Sequence, residues 1–98
     1  MYFEYHKKST SLLKEAKDRN FFPFEGLSDE SIMVRYSLIL HFIKEHKEVP
    51  ILKKDHIGGP IPITLWKNKK YYWSLSHSQN YIAWIMDDIP CGIDIVEY

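Results

Sequence analysis

The sequence is short of several things that would otherwise announce a function. It has a single cysteine, Cys91, so an internal disulfide is excluded. A reducing cytoplasm is the expected setting, and Cys91 is most simply a small buried hydrophobe. No apolar run approaches the roughly 20 residues of a membrane span. The opening Met1-Tyr2-Phe3-Glu4-Tyr5-His6-Lys7-Lys8 lacks an apolar h-region, and its lysines follow its aromatics, which is the wrong order for a signal peptide. There is no charge excess: 13 basic residues balance 13 acidic ones, which argues against a nucleic-acid partner. No Cys/His spacing matches a metal site, and Ser78 lies in no Gly-x-Ser-x-Gly elbow. His41 and His46, five apart, fall on different sides of a helix. Repeats and low-complexity segments are absent.

What is there is a folding sequence. Hydrophobic residues make up 45% and aromatics 15%, enough to drive a globule, and 98 residues make one domain spanning 1–98. Tyr2, Phe3 and Tyr5 suit a short strand or a tucked arm. Ser9, Thr10 and Ser11 offer N-caps to a short helix with a thin face of Leu12, Leu13 and Ala16, and Asn20 is its C-cap candidate. Phe21-Phe22-Pro23-Phe24 reads as an aromatic plug over the core. A longer helix runs from Ser28 to Lys47, about 30 Å at roughly 1.5 Å per residue. Asp29 and Glu30 suit its first turn, and Lys44, His46 and Lys47 its last. Ile32, Tyr36, Ile39, Leu40 and Ile43 form one apolar face on which a sheet is expected to pack.

After Pro50 the period changes. Ile51–Ile57 suits a strand, Gly58-Gly59-Pro60 a turn, and Ile61–Trp66 an edge strand or loop because of Pro62. Lys67–Lys70 reads as a solvated turn. Strands are expected at Tyr71–Ser76, Tyr81–Asp87 and Cys91–Tyr98, with short antiparallel connections. The fold class is therefore α+β: a helical part at about 9–47 packed on a small antiparallel sheet at about 51–98.

Chemistry gathers in the last quarter. Ser76-His77-Ser78 closes one strand and offers hydroxyls, an imidazole and backbone N–H groups to an anion. A polar hairpin corner would look the same. Asp94 sits among Ile93, Ile95 and Val96, where burial of a carboxylate is costly unless it is paired or holds a metal. A sheet-edge aspartate reaching water is the plainer alternative. Tyr71, Tyr72, Trp73 and Trp84 suit core and sheet-face packing.

The pair Ser76-His77-Ser78 and Gly92-Ile93-Asp94-Ile95, in that order, resembles the 4'-phosphopantetheinyl transferase superfamily. The resemblance covers about the second half of the chain closely and the whole loosely. It implies one half of a pseudo-twofold α+β fold. It implies transfer of the phosphopantetheine arm of coenzyme A to a serine of an acyl or peptidyl carrier protein, with Mg²⁺ as cofactor. By the same resemblance Ser76 and His77 contact coenzyme A phosphates, Arg35 is a basic contact on the long helix, and Asp94 binds Mg²⁺. Departures accompany it. Ser74 stands where the family often has asparagine. Gly59 replaces a basic residue, so that Lys53 or Lys54 would have to substitute. Val96 replaces the second carboxylate of the surfactin-type branch. The run Gly92–Glu97 looks closer to the holo-acyl-carrier-protein synthases. Glu97 as a second metal ligand would need a bulge, since in a regular strand it turns away from that position.

The family's Trp-x-x-Lys-Glu-x-x-x-Lys helix, with its further metal carboxylate and base, does not follow. The expectation is a half-enzyme: no catalytic residue within this chain, inactivity alone, and self-association through the face that would meet the absent half. A non-catalytic coenzyme A, nucleotide or protein-interaction domain of the same fold is the alternative.

Overall fold

A computed structural model describes residues 1–50, 65–66 and 69–96. The expected strand at 51–57, the turn Gly58-Gly59-Pro60, most of the Pro62 segment, Lys53, Lys54 and Glu97 lie outside the described residues. The elements run β1 (Tyr2–Lys7), α1 (Thr10–Arg19), α2 (Asp29–His46), β2 (Leu65–Trp66), β3 (Lys69–Lys70), β4 (Tyr72–His77) and β5 (Tyr81–Asp87). This is an α+β fold, two helices on a three-stranded antiparallel sheet of order β1-β5-β4. Lys69–Lys70, expected as turn, instead pairs with Leu65–Trp66 in a separate two-stranded sheet. Among the described residues no helix is long and apolar enough to cross a membrane.

The helix ends form where capping chemistry puts them. The Ser9 hydroxyl accepts from the Leu12 N–H at 3.0 Å, and Asn20 closes α1 in the left-handed region, its N–H donating to the Ala16 carbonyl. Ser28 accepts from the Ser31 N–H at 3.2 Å, and Lys47 closes α2 in the same left-handed way.

α2 is the axis of the molecule, and it is buried more completely than one apolar stripe implies. Every residue from Ile32 to Ile39 is buried. Ile32 and Tyr36 pack with Ala16 of α1 and with Phe21, Phe22, Phe24, Leu27 and Leu40. The aromatic loop is thus a plug, with the Phe21 and Tyr36 rings stacked at 6.0 Å. The sheet packs on a different stripe, Met33, Val34, Leu38 and Phe42, which meets Trp73, Ile82, Trp84 and Met86. The expected sheet-bearing face therefore carries α1 and the plug. Val34, Leu38 and Phe42 recur every four residues and supply a second face of helical period.

Sheet register sorts side chains into two sets. On the helix side lie Ile82, Trp84 and Met86 of β5, with their partners Glu4, His6, Trp73, Leu75 and His77. On the open side lie Tyr81, Ala83 and Ile85, with Phe3, Tyr5, Ser74 and Ser76. Trp84, fully buried, fixes this sorting: its indole N–H donates to the Ser37 hydroxyl at 2.9 Å across the sheet–helix boundary. Ser37→Ala leaves that donor orphaned in the core and is expected to cost about 1–3 kcal/mol in denaturant unfolding. The same change made on Trp84→Phe is expected to cost clearly less, the signature of a coupled pair.

The buried Tyr36 hydroxyl donates to Glu15 of α1 at 2.5 Å. Burial first, then the Glu15 contact, raise its pKa from 10.0 to about 12. A raised folded value means that the folded state holds its proton more tightly. This contribution is full below pH 10.0 and is lost as pH climbs through about 12. Unfolding free energy is expected to fall over that window, and Tyr36→Phe to flatten part of the fall.

Candidate functional site

Cys91–Val96 is not a strand. The expected last strand is replaced, over its described part, by an irregular segment running beside β4. Side chains tether it there instead of a backbone ladder. The Cys91 thiol lies 3.6 Å from the Tyr72 carbonyl, and the Ile95 N–H donates to the Ser76 hydroxyl at 3.2 Å. The Ser76 hydroxyl in turn donates to Asp94 Oδ1 at 3.3 Å, and the same oxygen accepts from the Ile95 N–H at 2.9 Å.

These bonds bring Ser76 and Asp94 together. Asp94 itself is exposed, so the burial cost expected from its apolar neighbours does not arise. Beside it, between the segment and β1, runs an open groove of about 440 Å³, walled by Phe3, Tyr5, Tyr81, Ala83 and Ile95 with Asp94 among its lining.

The other two candidates lie elsewhere. His77 follows Ser76 and so turns to the helix side, paired with Ile82. On that side the Glu30 carboxyl is held below its ordinary range, first by its own backbone N–H in the first helical turn, then by the Lys8 ammonium 3.3 Å away, and least by His77. Arg35 is buried on the same side, 5.5 Å from the Trp73 ring centroid, with its Nε–H donating to Ser31 at 3.3 Å. Burial holds its pKa below the ordinary guanidinium value. Ser78 closes the β4–β5 hairpin: its hydroxyl accepts from the Tyr81 N–H at 3.2 Å and its N–H donates to the Tyr81 carbonyl at 2.9 Å. The three residues of Ser76-His77-Ser78 thus do three different things.

For a divalent cation the fit is partial. Among the described residues no three Asp, Glu, His or Cys side chains converge on one point. Asp94 offers one carboxylate from an exposed position, which suits an ion such as Mg²⁺ that keeps waters and takes phosphate oxygens for its remaining ligands. Burial raises the Cys91 thiol above its ordinary value, so it is not a ready nucleophile.

A cluster outside the expected set joins β1 to α2. Glu4 Oε1 lies 2.7 Å from His6 Nε2, and Oε2 lies 3.2 Å from His41 Nδ1. Alternation along β1 would have signalled it, since Glu4 and His6 must share the helix-side face.

Comparison with protein-family models, curated proteins and solved structures gives no match.

If the Ser76 hydroxyl is what holds the 91–96 segment down, Ser76→Ala is expected to speed hydrogen exchange at the Ile95 amide by tenfold or so, equivalent to about 1.4 kcal/mol. Amides of Trp84 and Met86 should exchange as before. Unchanged exchange at Ile95 would show that other contacts hold the segment.

Proposed function

We propose that this chain is a phosphopantetheinyl transferase-like domain that takes coenzyme A with Mg²⁺ and is incomplete as a catalyst alone. One observation carries the reading: the hydroxyl of Ser76, from the first motif, meets the carboxylate of Asp94, from the second, and Asp94 lines an apolar groove. Residues 18 positions apart in the chain thereby share one surface. In this reading Asp94 holds the cation, and Ser76 positions Asp94 and faces a phosphate oxygen. The groove wall of Phe3, Tyr5 and Ala83 accepts the uncharged part of the ligand. Mg²⁺, when bound, would offset charge building on the pyrophosphate.

His77 flanks the same end of β4 from the opposite face, so one ligand reaches both His77 and Asp94 only by passing around the strand end. Arg35, whose guanidinium stacks on Trp73, lies on His77's side. In this reading the base that activates the acceptor serine comes from outside this chain. A carrier protein is the acceptor in this reading. The exposed Phe3, Tyr5, Tyr81 and Val96 on the open side are the apolar surface that a second half, or a second copy, would cover.

The test is calorimetric titration with coenzyme A in Mg²⁺, paired with incubation with coenzyme A, Mg²⁺ and an apo carrier protein read by intact mass. Binding is expected, weakened at least tenfold by Asp94→Ala, with no mass gain on the carrier. Absence of heat with and without Mg²⁺ would overturn the coenzyme reading. Full modification of the carrier by this chain alone would overturn the claim of incompleteness.

A further inference from the structure

β1 has an outer edge whose hydrogen-bonding pattern can be read residue by residue. The Lys8 N–H donates to the Asn80 carbonyl at 2.8 Å, extending the register in which Lys7 faces Tyr81 and His6 faces Ile82. Antiparallel pairs alternate between exchanging both main-chain bonds and exchanging neither. Tyr2, Glu4 and His6 therefore bond inward to β5, while Phe3, Tyr5 and Lys7 turn N–H and C=O outward. Among the described residues no strand pairs with that edge. It carries no proline, and Phe3 and Tyr5 are 60% and 69% exposed. Such an edge is a template for another strand.

We propose that the outer edge of β1 pairs antiparallel with the same edge of a second copy of this chain, about a twofold axis through Tyr5. Outward-facing residues must oppose outward-facing residues, which leaves two registers with extensive overlap. One is centred on Glu4 and sets Glu4 against the partner's Glu4, two carboxylates at the closest kind of cross-strand pair. The other is centred on Tyr5 and sets Glu4 against the partner's His6, and His6 against the partner's Glu4. Glu4 already accepts His6 at 2.7 Å within one chain, so the second register builds a reciprocal acid–imidazole network where the first builds a repulsion. On the open side the Tyr5-centred register brings Tyr5 against the partner's Tyr5, and Phe3 against the partner's Lys7. It supplies roughly six main-chain hydrogen bonds. The contact is isologous and closed, so it ends at a dimer. It does not rest on the coenzyme reading and stands if coenzyme A fails to bind.

The test uses the full chain with Cys91→Ser as background. Tyr5→Cys, on the axis, is expected to cross-link to itself under mild oxidation, because directly opposed strand residues lie within disulfide reach. Phe3→Cys and Lys7→Cys are expected to cross-link when mixed and not when alone. The parent should sediment as a dimer. Tyr5→Pro, which removes an outward N–H and leaves the ladder to β5 whole, should sediment as a monomer with its far-ultraviolet circular dichroism retained. A parent that sediments as a monomer overturns the proposal. So does cross-linking of Phe3→Cys alone with none at Tyr5→Cys.

Discussion

Burial of Trp84 against α2, with its indole N–H satisfied by Ser37, is the constraint from which the rest of the arrangement follows. An aromatic of this size contributes heavily to the core, and its one polar atom has a partner only on the helix side. Once Trp84 faces inward, alternation leaves its neighbour Ala83 no choice but to face outward. Register then carries the decision to both flanking strands. Leu75 and His77 go in with Trp84 and Ile82, and Ser76 goes out with Ala83. On the other flank Glu4 goes in, where His41 meets it, and Tyr5 goes out.

That sorting decides what the candidate site can be. It splits Ser76 from His77 and gives the open face its character: aromatic walls, small residues on the floor, and a polar tether at one end. The tether is local chemistry. A hydroxyl serves two groups of the following segment, donating to a carboxylate and accepting from an amide. The groove exists because the segment is held over the sheet by side chains and not zipped onto its edge. Helix-side candidates belong to a different environment, in which Lys8, Glu30 and His77 interact near the start of α2 and Arg35 is packed on an indole.

Much of the fold was legible in the sequence. The caps Ser9, Asn20 and Ser28 are local hydrogen-bond chemistry and sit where expected. The β4–β5 hairpin and the plug at Phe21–Phe24 follow from periodicity and composition. What was not legible depends on tertiary choice. One apolar stripe on α2 looked sufficient for a sheet, yet the helix is sandwiched, and the Val34, Leu38, Phe42 stripe takes the sheet. Ile93 and Ile95 around Asp94 read as a strand, but Cys91–Val96 forms no ladder. The aspartate is consequently exposed, and the burial argument that drew attention to it fails. The two motifs led to the expectation that Ser76 and His77 would face Asp94 together; Ser76 alone meets it, and His77 lies on the other face of the sheet. The separation of His77 was implicit in strand alternation, since adjacent residues of one strand cannot share a face.

In the proposed reading, a ligand for these motifs is received on the open face, at the junction of Ser76 and Asp94. Amide chemical shifts followed during titration with coenzyme A and Mg²⁺ test it most directly. Amides of Ser76, Asp94, Ile95, Ala83 and Tyr5 are expected to move together. Shifts confined to Arg35, Trp73 and Glu30, on the helix side, would contradict it.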